Sequence, residues 1–87
     1  MKIHVYDTHV QTTTGTYYHF DVLVSDATQS RAAEYAQQYL HSIGIAPNAV
    51  DQQRCDFCHS EMANPEVKKA IEANGFYILP MEGCPPV

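Results

Sequence analysis

The sequence predicts an α+β fold: a single two-layer domain in which a three- or four-stranded mixed sheet, with a long N-terminal β-hairpin, carries two helices packed on one face. Period-two alternation near the N-terminus indicates strands, and apolar residues at three- and four-residue steps indicate helices. With 87 residues, the chain has room for one hydrophobic core, so we expect residues 1–87 to form one domain.

The first two strands are predicted to form the hairpin. Residues 2–9 alternate apolar and polar side chains, residues 17–24 (YYHFDVLV) give the strongest strand signal, and a threonine-rich loop with Gly15 joins them. An antiparallel pairing that places Val5 near Phe20 buries one face. The other face then brings together four polar side chains, those of His4, Tyr6, His19 and Asp21.

A helical pattern follows from residue 28 to residue 43, and Gly44 ends it because glycine is the preferred residue just beyond a helix. Residues 49–58 have no clear periodicity, and a short strand is one interpretation of them. Pro47 separates this segment from the helix.

The second helix is predicted to begin at Pro65, after Asn64 as N-cap, and to end at Gly75. Residues 76–79 are apolar and are predicted to form the last strand, and residues 82–87 are predicted to be irregular.

Composition and charge exclude several classes of protein. Ten acidic and five basic residues give a formal charge of −5, which argues against a nucleic-acid partner. No apolar run is long enough for a membrane-spanning helix, so no membrane association is expected. Charge appears at Lys2 and again at Asp7, too early for the apolar core of a signal peptide, and we therefore expect a cytoplasmic protein.

The densest chemical feature is the segment Cys55-Asp56-Phe57-Cys58-His59. It matches the C-x-x-C-H haem-attachment pattern, but that chemistry follows export, and no export signal is present. Three alternatives remain: zinc bound by the three cysteines with His59 as fourth ligand, a redox pair with a resolving third thiol, or thiols that only pack. The residues concerned are Cys55, Cys58, His59 and Cys84.

The polar face of the hairpin is the second candidate. A histidine beside a carboxylate suits acid–base chemistry, but no nucleophile of known spacing accompanies it, so the sequence does not predict an enzyme. Exposed tyrosines are common at interfaces, and a homodimer or another protein partner is the alternative. The candidate surface consists of His4, Tyr6, Tyr17, His19 and Asp21.

Blocks along the whole chain carry a family resemblance: MKIHVYDT at the N-terminus, HFDVLV from His19, the helix residues AEYA, CxxCHSE from Cys55, and MEGC at the end. They resemble small bacterial proteins catalogued as domain of unknown function number 2024. The resemblance implies a compact α+β domain from a bacterium and no established activity. Together with the cysteines, the resemblance predicts a small accessory or binding domain. The most specific form of this prediction is a zinc-binding module.

Overall fold

The computed structural model describes residues 1–85, so the last two residues of the predicted irregular tail lie outside the described residues. Six main elements follow one another, with short 3₁₀ turns at Gln29–Arg31 and Pro47–Ala49. They are β1 (Lys2–Thr12), β2 (Tyr17–Val24), α1 (Ala32–Ser42), β3 (Val50–Met62), α2 (Pro65–Asn74) and β4 (Phe76–Pro80).

The four strands form one sheet in the order β3-β1-β2-β4, and every neighbouring pair is antiparallel. The α+β class and the two helices are confirmed, but the prediction of a mixed sheet was wrong. Strand β3, which follows α1, runs in the same direction as β2. However, β1 lies between these two strands. Among the strands of residues 1–85, no parallel pair therefore forms.

The two helices cover opposite faces of the sheet, which corrects the prediction that they share one. On one face α1 packs on the core side chains of Phe20, Val22 and Val24. On the other face α2 packs on those of Ile3 and Leu23. The sheet is thus the middle layer at this end of the molecule.

The hairpin register differs by three residues from the predicted pairing. Val5 is the partner of Leu23, and Phe20 is the partner of Thr8. Consecutive residues Val22, Leu23 and Val24 are all buried, because a helix covers each face. A strand that is apolar on both faces does not specify its register, and a shift by an odd number of residues moves every side chain of β1 to the other face.

Strand β3 is longer than the predicted segment and forms an edge of the sheet. Most of its side chains are exposed, so it has no hydrophobic alternation from which a strand can be predicted. A β-bulge lies at Cys58, because His59 pairs with Val5 while Phe57 pairs with Tyr6. Across residues 1–85, no helix is sufficiently long and apolar to cross a membrane.

Candidate functional site

Asp7, His9 and His19 form a polar cluster on the face of the sheet that α2 partly covers. The Nε2 atom of His9 lies 2.8 Å from Asp7 Oδ2, and the Nε2 atom of His19 lies 2.5 Å from Asp7 Oδ1. The two imidazole rings are stacked, with centroids 4.3 Å apart and planes 14° from parallel. One carboxylate thus accepts a hydrogen bond from each of two histidines.

Strand geometry explains why these three side chains meet. Asp7 and His9 are two residues apart on β1, so they point to the same face. His9 and His19 are register partners on β1 and β2. On its outer side, His9 stacks on the Tyr17 ring with centroids 5.9 Å apart, and the Tyr17 hydroxyl donates to His9 Nδ1. Both nitrogens of His9 are therefore oriented.

Electrostatics distinguish the two carboxyl groups of the hairpin. Burial works against the charge on Asp7, but hydrogen bonds from His19 and His9 outweigh it and lower the pKa of Asp7. For Asp21, burial first and the charge of Asp7 second raise the pKa. Asp7 is therefore the more firmly ionised of the pair.

The segment after β4 holds the backbone of His19. The Met81 N–H donates to the His19 carbonyl at 3.0 Å, and the His19 N–H donates to the Glu82 carbonyl at 2.8 Å. The thiol of Cys84 lies 3.5 Å from the same His19 carbonyl. The C-terminal segment thus contributes to the position of a cluster histidine.

The cluster offers a set of metal ligands. Its three donor atoms all lie within 4.8 Å of one another, and within residues 1–85 it is the one group of three or more potential His, Cys, Asp or Glu ligands that meets this spacing. Two imidazoles and one carboxylate suit zinc and other first-row transition ions and leave coordination positions open.

The structure does not bring the predicted cysteine ligands together. Cys55 faces the α1 side, where Thr8 donates to its sulfur at 3.4 Å, whereas Cys58 is exposed at the bulge with its sulfur 3.2 Å from His59 Nδ1. Cys84 contacts the backbone of β2, which β1 separates from β3. The C-x-x-C segment lies in an extended strand rather than in a tight turn, so its sulfurs do not converge.

The environment of Cys55 also bears on thiol chemistry. Burial raises the pKa of the Cys55 thiol more than the hydrogen bond from Thr8 lowers it, and the charges of Asp56 and Asp7 raise it further. A raised pKa disfavours the reactive thiolate. A redox role for these cysteines stays a prediction.

The predicted polar face is divided between the two sides of the sheet. Tyr17, His19 and Asp21 do lie on the face of the cluster, but the three-residue difference in register, an odd number, places His4 and Tyr6 on the other side. Sequence reasoning missed Asp7 and His9. Their spacing of two along a predicted strand was the available signal, since the shifted register puts them beside His19.

His4 belongs instead to a second polar group. His4 is almost fully buried, at 7% exposure. Its Nδ1 atom lies 2.7 Å from the Ser60 hydroxyl oxygen, and its Nε2 atom lies 2.5 Å from Asp26 Oδ1. The two polar groups occupy opposite faces of β1.

Comparisons with known proteins agree with this fold. A family model described as "Domain of unknown function (DUF2024)" matches residues 1–81. The NMR structure of protein NE1680 from Nitrosomonas europaea, a structural genomics target, is 45% identical, with coverage of 98% of this chain and 100% of that one and a TM-score of 0.77. No curated protein matches the chain. The chain therefore belongs to the DUF2024 family of domains of unknown function.

Proposed function

We propose that this protein is a small metal-binding domain that holds a first-row transition ion through Asp7, His9 and His19. The observation that carries the proposal is the convergence of three ligand atoms within 4.8 Å of one another. Zinc is the ion we would test first, because neutral imidazole and carboxylate are two of its common ligands. This ligand set replaces the cysteines as the basis for zinc binding.

The charge of the surroundings supports the proposal. The pKa of Asp7 is lowered, which keeps its carboxylate ionised at neutral pH. Asp21 and Asp56 are its register partners on the two neighbouring strands, so carboxyl groups lie on both sides of it. A cation relieves the repulsion along this row, and the protein as a whole carries a formal charge of −5.

The hydrogen bonds of the cluster indicate how binding proceeds. The imidazole N–H groups of His9 and His19 donate to Asp7. Coordination through those nitrogens requires that they carry no proton, so the ring proton of a neutral imidazole moves to its other nitrogen. For His9, Nδ1–H then donates to the Tyr17 hydroxyl oxygen instead of accepting from it. Zinc binding is therefore expected to weaken as the pH falls and protons compete for the imidazoles.

Isothermal titration calorimetry with Zn²⁺ tests the proposal. We expect one site per chain, and we expect His9→Ala, His19→Ala and Asp7→Asn each to lower the affinity by at least about 10-fold, since loss of supporting groups alone has such effects. His41→Ala is the matched control, because His41 is an exposed histidine on α1. Its affinity should equal that of the natural sequence.

A second variant separates the proposal from the cysteine hypothesis. Replacement of Cys55 and Cys58 by serine should leave zinc affinity unchanged. The proposal is wrong if the natural sequence binds no zinc, or if a His9→Ala/His19→Ala double variant binds as tightly as the natural sequence. Loss of binding in the cysteine variant alone would assign the site to the C-x-x-C segment.

A further inference from the structure

Ser60, His4 and Asp26 form a chain of side-chain contacts on the face of the sheet opposite the polar cluster of Asp7, His9 and His19. The buried His4 ring contacts the Ser60 hydroxyl oxygen at 2.7 Å through Nδ1 and the Asp26 carboxylate at 2.5 Å through Nε2. We propose that Ser60 is a nucleophile in an acyl-transfer site, with His4 as its general base and Asp26 as the residue that positions His4. The proposal is independent of metal binding.

The fold holds the three residues from three separate elements. Ser60 on β3 is the register partner of His4 on β1, and both project to the same face. Asp26 lies just after the end of β2, in the turn that leads toward α1. Neither neighbour is local in sequence to His4, so the arrangement is produced by the sheet and not by a short motif.

The chemical types and their order match those of a serine nucleophile, its base and an orienting carboxylate, with the roles of the two imidazole nitrogens exchanged. In the required tautomer, the Ser60 hydroxyl donates to His4 Nδ1, and the His4 Nε2–H donates to Asp26. The hydrogen bond from His4 is the main cause of the lowered pKa of Asp26, and the charge of Lys2 also contributes. Asp26 is therefore ionised when His4 accepts a proton.

The surroundings of Ser60 indicate the class of substrate. Ser60 itself is exposed, and Phe57 and Met62 on the same strand are exposed to 52% and 71%. The Phe57 ring centroid is 6.2 Å from that of His4 and 5.7 Å from that of Tyr6. An accessible hydroxyl beside exposed apolar side chains fits a small ester with an apolar acyl group.

The proposed reaction has two balanced steps. In the first, Ser60 Oγ forms a bond to the ester carbonyl carbon while its proton passes to His4 Nδ1. The bond from that carbon to the alkoxy oxygen then breaks, and the departing alkoxide takes the proton from His4, which leaves acyl-Ser60 and an alcohol. In the second, water attacks the acyl group with His4 again as base, which releases the carboxylic acid and restores Ser60.

Hydrolysis of p-nitrophenyl butyrate tests the proposal. We expect turnover by the natural sequence and a fall of at least about 100-fold in Ser60→Ala, since the nucleophile is lost. Ser30→Ala is the matched control, because Ser30 is an exposed serine elsewhere on the chain. Its rate of hydrolysis should equal that of the natural sequence. Asp26→Asn should lower the rate, and Asp26→Glu should recover part of it, a rescue that a purely structural role does not predict.

Covalent labelling gives a second readout that does not depend on turnover. Phenylmethylsulfonyl fluoride should add one sulfonyl group per chain, at Ser60 by peptide mass mapping, and Ser60→Ala should remain unlabelled while retaining the circular dichroism spectrum of the natural sequence. Equal hydrolysis by the natural sequence and Ser60→Ala, or no labelling of Ser60, would overturn the assignment.

Discussion

Asp7 and Asp21 lie directly opposite each other on β1 and β2, and their carboxyl pKa values shift in opposite directions. Asp56 is the partner of Asp7 on the other side, so three carboxyl groups cross the sheet in a row. Hydrogen bonds from the two histidines stabilise the negative charge of the middle carboxylate. The row therefore combines Asp7, whose ionised form is stabilised by hydrogen bonds, with Asp21, whose ionised form is destabilised by burial and by the charge of Asp7.

This relationship predicts that Asp21→Asn stabilises the metal-free protein. Like charges directly opposite on a sheet are destabilising, and their removal should raise the free energy of unfolding at pH 7 by about 0.5 kcal/mol. Urea denaturation in the presence of a chelator measures the change. Asp51→Asn, at an exposed position of β3, is the control and should change it little. A destabilised Asp21→Asn variant would contradict the prediction.

The C-terminal segment is predicted to depend on Gly83. Gly83 has a φ of +77°, and a Cβ atom there would overlap the carbonyl oxygen of Tyr17. Gly83→Ala should therefore displace the segment, increase the reactivity of the Cys84 thiol toward Ellman's reagent and weaken zinc binding several-fold, since the same segment bonds to the backbone of His19.

Gly44→Ala is the matched control for this experiment. Gly44 has a similar φ of +88° but no atom within 4 Å of an added Cβ. Gly44→Ala should lower the free energy of unfolding by about 1–2 kcal/mol, which is the cost of the left-handed backbone conformation for alanine. The reactivity of the Cys84 thiol should be unchanged. Equal thiol reactivity in the two variants would show that the contact with Tyr17 does not hold the tail.

Alkaline pH should destabilise the fold through Tyr39. Burial, with the neighbouring Cys84 thiol as second cause, raises the pKa of Tyr39 to about 12. A raised pKa means that the protonated form is favoured in the fold, so this contribution to stability is complete below pH ~10, the ordinary tyrosine value, and is lost as the pH rises through about 12.

Ultraviolet titration of tyrosinate absorbance checks this expectation. The natural sequence should show one tyrosine that ionises well above pH 10, and Tyr39→Phe should lack that late step. Urea denaturation between neutral and alkaline pH should show a smaller loss of stability in Tyr39→Phe. A late step that persists in the variant would assign it to a different tyrosine.

The start of α2 is predicted to depend on Asn64. Its side-chain oxygen accepts a hydrogen bond from the Val67 N–H at 2.8 Å, and Pro65 occupies the first turn. Asn64→Ala should lower the free energy of unfolding by about 1 kcal/mol. Asn74→Ala, at the exposed other end of the same helix, is the control in urea denaturation. An equal loss in both variants would argue against a capping role.

Elements with strong local signals could be predicted from the sequence. Strand β2 has the predicted bounds, and α2 lies between the predicted N-cap Asn64 and the predicted stop at Gly75, whose φ is +92°. In each case, the determining interactions lie within a few residues of one another. The pattern of strand β3 carried no such signal, because its side chains are mostly exposed on both faces.

The candidate sites could be predicted only in part. His19, Asp21 and Tyr17 were expected on one polar face and do lie there, but Asp7 and His9 join them because of a register that the apolar run of β2 leaves open. The expected ligands Cys55, Cys58 and Cys84 do not meet, because the C-x-x-C segment became an extended edge strand.

The sequence by itself determined the α+β class, the hairpin, the end of α1 before Gly44 and both ends of α2, since caps, glycines and residue periodicity act over short distances. Helix α1 begins at Ala32, four residues after the predicted start. The tertiary structure decided which face each helix covers and which β1 side chains meet those of β2 and β3. Both polar groups, at Asp7 and at His4, depend on those long-range pairings. Strand register is set by the packing of the whole sheet, and a difference of an odd number of residues, here three, exchanges the two faces.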